Sequence, residues 1–403
     1  MTATFKHEDF QYGYEIALGS AFRSYSDVGE VLATVRRIKD HDGDGWVREW
    51  CAIAERLEGD ARQAEGAGNR VSARGLYLRA ANYFSTGLYL ITHSSMPERQ
   101  LDIWKRHRAC WDKVVDLVAV PGERLQLRYE DTTLPGYFFR ASDAEPGELR
   151  PLVVLNNGSD GPTSHMGLFG GWAALERGYH AMTFDGPGQQ AALFLQGLPF
   201  RHDWEAVLTP VVDAMVARPD VDSDHIALIG VSQAGYWVPR ALAFEHRFAA
   251  AVADPGVVDV SSSWTRQLPG FMRSQLEDPS KKDAFDKEMG WTERVSKSTR
   301  ATLHFRGAPY GVPGDSRFDL YQEVMKYRLG DEVQGIRTPL LITDPEDEQF
   351  WPGQSQSLYD LLPGPRELVR FTAAEGANRH CEPMGLATRD TRIFDWLDHY
   401  LAA

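Results

Sequence analysis

The sequence predicts an α/β fold, in which a mostly parallel central sheet has helices on both faces and an N-terminal helical domain precedes it. From residue 118 onward, short apolar runs alternate with helical segments, a pattern typical of parallel strands joined by helices. Residues 1–117 instead carry apolar residues at three- and four-residue spacing. We therefore expect a helical domain over 1–117 and a sheet domain over 118–403, with a helical insertion at about 256–335 before a late strand.

Composition narrows the class of protein. The chain has 403 residues, and this length is too great for one small core. Its residues are 43% hydrophobic and 11% aromatic, as in a well-packed globular protein. Its net charge of -14 argues against nucleic acid and anionic membranes as partners, since both select basic surfaces. No apolar run resembles a signal peptide or a membrane span. An odd number of cysteines, three, fits a reducing compartment, and we expect a cytoplasmic protein.

Three segments of the helical domain have helical periodicity: Asp27–Lys39, Trp46–Leu57 and Val71–Ile91. In the last segment an apolar stripe includes Tyr83. Such a stripe most often packs in the core of a protein, and the alternative is that Tyr83 contacts a substrate directly. Both stay open.

One loop in this domain imitates a calcium site. Asp40, Asp42 and Asp44 precede Gly45 at the spacing of a calcium-binding loop. The twelfth position, however, holds Cys51 where a bidentate glutamate belongs, so we expect no metal. Asp44 is more simply expected to cap the helix that starts near Trp46.

The stretch Ile226 to Tyr236 combines a short buried strand, a tight turn and the start of a helix. Ser232 lies at the apex of the turn, between Gly230 and Ala234. Small residues are needed there because the turn is strained and a larger side chain would collide with its neighbours. The pattern predicts that Ser232 is a nucleophile and that the N–H of Gln233 points at a developing oxyanion.

A serine nucleophile needs a histidine base and a carboxylate that orients the base. With this type of turn the chain order is serine, acid, histidine, and a carboxylate-rich loop follows the predicted strand Pro339–Thr343. The usual loop spacing places Glu348 at the acid position, but Asp347 competes and the stretch leaves the choice open. Asp254, at the end of the preceding predicted strand, is a less favoured alternative. His380 follows the last predicted strand and is the expected base.

A second oxyanion donor is expected from the glycine-rich loop after the strand that ends at Leu155. The backbone N–H of Ser159 is the candidate, with that of Asp160 less favoured. The glycines of this loop could instead serve only to make a tight turn, and both interpretations can hold together. Asp160 and Trp351 are further candidates for substrate contact.

These features resemble the α/β-hydrolase superfamily, and in particular the branch with 2,6-dihydroxypseudooxynicotine hydrolase, fungal pigment polyketide-shortening hydrolases and fermentation-respiration switch proteins. The resemblance covers nearly the whole chain. It implies an α/β-hydrolase fold, a helical domain over the site and hydrolysis of a carbon–carbon bond next to a ketone, in a β-diketone or an acylated aromatic, polyketide-like compound. Its motifs are Asn157–Gly161, Phe184–Gly188, Asp203–Glu205, the turn at Ser232, Glu348–Gly353, Glu375–Ala377 and His380–Cys381.

Other activities remain open at this point. Esterase or acyltransferase action on a small aromatic ester would use the same residues, and the switch-protein relatives suggest a regulatory, partner-binding protein with a vestigial triad. We expect a small-molecule substrate and no metal or organic cofactor. A homodimer is left open.

Overall fold

The computed structural model describes residues 4–120 and 122–402, which divide into two compact units. The first unit comprises Met1–Glu123 with Pro383–Ala387, and the second comprises Arg124–Glu382 with Thr388–Ala403. The first is helical and the second contains the sheet. The first unit ends at Glu123 and the second begins at Arg124, whereas the predicted boundary is at residue 118.

The helical unit is built on long amphipathic helices. Its first turns are fixed by side chains: Asp27 accepts hydrogen bonds from the N–H groups of Gly29 and Glu30, and Asp42 accepts one from Gly45. The expectation that Asp44 caps the helix that contains Trp46 was wrong. That helix begins at Gly43, before Asp44, and the Asp44 carboxylate accepts a hydrogen bond from the N–H of Ser95. The helices are α1 (Glu8–Gly19), α2 (Val28–Val35), α3 (Gly43–Gly66), α4 (Arg70–Tyr89) and α5 (Gln100–Leu117).

Aromatic side chains fill the interior of the helical unit. Trp50 packs between Trp46 and Tyr83, with ring centroids 5.7 and 5.3 Å away. The Tyr83 hydroxyl accepts from the N–H of Asp27 and donates to Glu30 Oε2, both at 2.9 Å. These are the contacts of a packed core residue, and a role for Tyr83 toward substrate stays a prediction.

The second unit is built on an eight-stranded sheet in the order β1-β2-β4-β3-β5-β6-β7-β8. β2 pairs antiparallel with β4, and the pairs from β4 through β8 are all parallel. The mostly parallel sheet predicted from the sequence is confirmed. The strands are β1 (Glu123–Tyr129), β2 (Thr132–Phe139), β3 (Arg150–Asn156), β4 (His180–Phe184), β5 (Val221–Val231), β6 (Ala250–Asp254), β7 (Leu340–Pro345) and β8 (Arg366–Phe371).

Helices connect these strands, and a group of five lies in the chain between β6 and β7, as the predicted insertion requires. The connecting helices before that group are α6 (Trp172–Glu176), α7 (Gln190–Gln196), α8 (Glu205–Val216) and α9 (Ala234–Leu242). The inserted helices are α10 (Ser262–Thr265), α11 (Gly270–Gln275), α12 (Lys282–Val295), α13 (Lys297–Gly307) and α14 (Arg317–Val324). The last two are α15 (Gln354–Leu361) and α16 (Leu386–Leu401).

The parallel direction of β3 to β8 determines where in the sheet an active site can form. Parallel strands end at the same edge of a sheet, so the loops that follow β3, β5, β7 and β8 meet there. Those loops carry the candidate residues of the sequence analysis. None of the helices in the described ranges, 4–120 and 122–402, is long and apolar enough to cross a bilayer.

Candidate active site

The turn after β5 holds Ser232 in a strained conformation. Its φ is 61°, in the left-handed region that side chains other than glycine rarely adopt. The Ser232 N–H donates to the carbonyl oxygen of Asp254 at 2.6 Å, which ties the turn to the end of the neighbouring strand β6. Helix α9 follows with Gln233 as its N-cap, so the backbone N–H of Gln233 lies at the positive end of the helix.

The glycines around the serine are required by close backbone approach. A Cβ on Gly230 would lie 2.5 Å from Val238 Cγ2, and a Cβ on Gly235 would lie 1.8 Å from the carbonyl oxygen of Pro255. Neither space can hold a methyl group without movement of the chain. The small residues that the sequence pattern calls for are therefore what allow the turn to close.

A continuous chain of hydrogen bonds joins the serine, the histidine and one carboxylate. Ser232 Oγ lies 2.9 Å from His380 Nε2, and His380 Nδ1 lies 2.8 Å from Glu348 Oε2. His380 and Glu348 are both buried. With Nδ1–H donating to Glu348, Nε2 accepts the hydrogen bond of the Ser232 hydroxyl, which is the tautomer that a general base needs.

Glu348 is held as an anion. Burial favours its neutral form, but the charge and hydrogen bond of His380 and the N–H groups of Phe350 and Trp351 outweigh that effect, so the pKa of Glu348 is lowered. The two N–H groups lie 2.8 and 3.1 Å from its other oxygen. The ionised carboxylate is thereby fixed in position as well as in charge.

The two competing carboxylates lie elsewhere. Asp347 is exposed and accepts a hydrogen bond from the Asn378 side chain. Asp254 is fully buried, where Oδ2 accepts from Arg389 Nε at 2.6 Å and Oδ1 accepts from Thr343 at 2.8 Å. Of the three candidate acids, the structure brings only Glu348 to His380.

The loop after β3 lies directly against the nucleophile. A Cβ on Gly158 would lie 2.6 Å from Ser232 Cβ and 3.1 Å from Ser232 Oγ, so no side chain fits between them. The loop is held by the buried side chain of Gln189, whose amide donates to the carbonyl oxygens of Asn157 and Gly158 at 2.7 and 2.8 Å. The next N–H groups along this loop belong to Ser159 and Asp160.

Asp160 lies in this loop and is exposed. Its side chain is reachable by solvent yet crowded by protein, and this loss of solvation raises its pKa against the lowering effects of the Ser159 hydroxyl, Arg306 and His380. Ser159 Oγ lies 3.2 Å from Asp160 Oδ1. The charge of His380 is therefore close enough to act on the Asp160 carboxyl.

Aromatic rings surround the imidazole. Phe350 packs edge-on to His380 at 4.7 Å between ring centroids, and Trp351 lies at 5.6 Å. Trp351 is buried and its indole N–H donates to the carbonyl oxygen of Val260 at 3.2 Å. Its position next to the base fits an apolar wall, and direct contact between Trp351 and substrate stays a prediction.

Three contacts near the site were not predicted. Gln189 holds the loop after β3, and its place at the end of Asp185–Gln189, directly after β4, could have indicated this role. From the insertion, Tyr310 reaches the side chain of Gln233, and Arg306 lies 4.9 Å over the ring of Trp264. No sequence spacing links the insertion to the turn, so these two contacts could not have been found from the sequence. Among the described residues, no three His, Cys, Asp or Glu side chains form a metal-binding group.

A mostly parallel sheet whose central strand runs through a strained serine turn into a helix is the architecture of α/β-hydrolases. Comparison with known proteins agrees. A model of the prolyl oligopeptidase family matches residues 208–308. Alpha/beta hydrolase gkaG of Penicillium citrinum is 33% identical over 74% of this chain and 69% of its own. The chain therefore belongs to the α/β-hydrolase superfamily, and it is a hydrolase.

Two further similarities extend over almost the whole chain. The 20-hydroxy-prefusarin hydrolase FUS2 of Gibberella moniliformis is 28% identical over 100% of this chain and 99% of its own. The crystal structure of 2,6-dihydroxy-pseudo-oxynicotine hydrolase superposes with a TM-score of 0.72 at 21% identity, covering 95% of both chains. The second similarity concerns the fold alone, and it includes the helical region.

Proposed function

We propose that this hydrolase works through Ser232 as nucleophile, His380 as general base and acid, and Glu348 as the carboxylate that orients the histidine. The observation that carries the proposal is the unbroken hydrogen-bond chain, 2.9 Å from Ser232 to His380 and 2.8 Å from His380 to Glu348. The lowered pKa of Glu348 supports it, because an ionised carboxylate stabilises the imidazolium that forms during attack.

The reaction then proceeds through an acyl-enzyme. Ser232 attacks a substrate carbonyl while His380 takes its proton, and the backbone N–H groups of Gln233 and Ser159 hold the oxyanion. Collapse of the tetrahedral intermediate breaks the bond to the leaving group, which departs with the electron pair and receives the proton from His380. Water, deprotonated by His380, then attacks the ester and releases Ser232 and a carboxylic acid.

The bond broken is proposed to be a carbon–carbon bond next to a ketone, in a β-diketone or an acylated aromatic, polyketide-like substrate. This finer proposal rests on the resemblance of the chain to the hydrolase branch described above and on the aromatic surroundings of His380, which suit a flat, apolar and oxygenated molecule. Expulsion of carbon requires a leaving carbanion whose charge spreads onto a neighbouring oxygen. An ester would leave as an alkoxide through the same residues.

Two measurements test the proposal. A fluorophosphonate probe is expected to label the wild-type protein, and labelling is expected to be lost in Ser232→Ala and in His380→Ala. A folded wild-type protein that takes no label contradicts the serine mechanism. Product analysis on matched aryl esters and acylated polyhydroxyaromatics then separates the bond types, since carbon–carbon cleavage releases a ketone or arene in place of an alcohol. Formation of a new ester or amide would instead indicate acyl transfer.

A further inference from the structure

The side chain of Gln233 is a buried polar group whose two amide N–H donors are both unused. It is 4% exposed and directly follows Ser232 in the chain. Its Oε1 accepts a hydrogen bond from the Tyr310 hydroxyl at 3.4 Å, whereas its Nε2, which carries two N–H groups, has no partner anywhere in the described residues. Buried amides are nearly always paired, so this donor calls for an explanation.

Tyr310 is the partner of the Gln233 side-chain oxygen among the described residues. Its ring is packed edge-on against Phe200, Trp264 and Tyr327, with centroids 5.2, 5.7 and 5.1 Å away. Burial raises the pKa of Tyr310, so its hydroxyl stays protonated and can donate a hydrogen bond to Gln233 Oε1. With Oε1 contacted by the Tyr310 hydroxyl, Nε2 is the end of the amide that no described residue pairs.

We propose that Nε2 of Gln233 binds a second oxygen of the substrate, the 3-oxo oxygen of a 1,3-dioxygenated acyl compound. The inference rests on the proposed function, because it takes the carbonyl attacked by Ser232 as the first oxygen. Since the Gln233 backbone N–H serves that first oxygen, one residue would contact both oxygens of the pair. In carbon–carbon cleavage the electron pair of the broken bond moves onto the second oxygen as an enolate, which the amide stabilises until His380 protonates the carbon.

The test compares two esters that differ only in the second oxygen, p-nitrophenyl butanoate and p-nitrophenyl 3-oxobutanoate, each corrected for spontaneous hydrolysis. The readout is the ratio of their kcat/KM values, oxo over plain. We expect Gln233→Met, which keeps the backbone N–H and removes the donor, to lower the ratio on the order of tenfold. Tyr310→Phe is expected to lower it about threefold, because the amide loses its fixed orientation.

Tyr327→Phe is the matched control. It removes the same hydroxyl from the ring packed against Tyr310, at a position where the hydroxyl has no partner within the described residues. The wild-type ratio is expected to persist in this variant. An unchanged ratio in Gln233→Met, or an equal fall in Tyr310→Phe and Tyr327→Phe, overturns the inference.

Two controls allow the inference to be judged even if a variant misfolds or if the proposed function is wrong. Thermal unfolding and the rate of fluorophosphonate labelling report on folding and on Ser232 independently of the second oxygen. If Gln233→Met does not fold, Tyr310→Phe against Tyr327→Phe decides. A wild-type protein that neither takes the label nor cleaves either ester refutes the proposed function, and the inference with it. Normal labelling with no change in the ratio refutes the inference alone.

Discussion

Replacement of Glu348 by glutamine tests the proposed triad most directly. The change is nearly isosteric and removes one negative charge, and an amide oxygen can still accept from the N–H groups of Phe350 and Trp351 at 2.8 and 3.1 Å. What is lost is the anion beside His380 Nδ1, 2.8 Å from Oε2. The imidazolium that forms when Ser232 is deprotonated then has no counter-charge.

The size of the loss follows from that geometry. Two unit charges about 4 Å apart at an effective dielectric constant of about 20 attract by ~4 kcal/mol. Loss of ~4 kcal/mol from the transition state lowers kcat about 10³-fold at 25 °C. A glutamine amide that turns its N–H₂ toward Nδ1 would also favour the wrong tautomer of His380, which adds to the loss.

Asp347→Asn is the matched control, since it removes the same charge one residue away. Asp347 is exposed and its partner is Asn378, not the histidine. We expect kcat/KM to change less than about threefold, because exposed charges are screened by water. The assay is p-nitrophenyl ester hydrolysis under saturating and limiting substrate, with thermal unfolding of each variant. A larger loss in Asp347→Asn than in Glu348→Gln would refute Glu348 as the acid.

Three further predictions concern packing and burial. Gly235→Ala is expected to lower the free energy of unfolding by about 3 kcal/mol in urea titrations, because its Cβ would meet the Pro255 carbonyl oxygen. Gly290 lies in a helix with open space around it, so Gly290→Ala is expected to raise the free energy of unfolding by up to about 1 kcal/mol. Equal effects of the two substitutions would contradict the packing argument. Burial raises the pKa of all three cysteine thiols, so we expect no reaction with a disulfide reagent at pH 8 in the native protein and three equivalents after denaturation. Burial lowers the pKa of His107 to about 4. Below pH 6.5 the unfolded chain therefore binds a proton that the folded protein does not, and the free energy of unfolding falls by up to ~3 kcal/mol as the pH drops from about 6.5 to 4. His107→Gln should remove this pH dependence, as measured by urea titrations across that range.

The parts of the fold that depend on local pattern could be predicted from the sequence. The alternation of apolar strands and helices predicts the parallel sheet, and small residues around Ser232 predict the turn, because both follow from backbone geometry. One boundary and one short helix were predicted less well. Helix α3 runs on to Gly66, well beyond the predicted end at Leu57, since its last turns are polar and carry no apolar period. The short helix α7 was missed for the same lack of a long pattern.

The distorted segment before α6 shows a different limit. The sequence after the strand that ends at Leu155 predicts one helix over about residues 167–176, but Gly170 has a φ of 123° and the first part is not regular α-helix. A Cβ at Gly170 would lie 3.3 Å from Ile229 and from Phe394, so the glycine permits close packing against the sheet and α16. Only the packed structure contains that information, because Phe394 is far along the chain.

The triad candidates illustrate what spacing can and cannot decide. Spacing places two adjacent carboxylates, Asp347 and Glu348, in one loop, and strand pairing alone does not say which of them faces the histidine. In the structure the N–H groups of residues 350 and 351 fold back onto Glu348 and aim its other oxygen at His380. The longer glutamate side chain is compatible with the site because those two N–H groups fix it.

Asp254 shows why a carboxylate at the right edge need not be catalytic. It ends β6, between the strand that leads to Ser232 and the strand that leads to Glu348, which is why the sequence offers it as an acid. Its carboxylate is instead committed to Arg389, 2.6 Å away and fully buried, while its backbone carbonyl accepts the N–H of Ser232. A buried charge pair is strongly destabilised when one partner is removed. We therefore expect Asp254 to help hold the strained serine turn in place, so that a neutral residue there would disturb Ser232 through the backbone and not through His380.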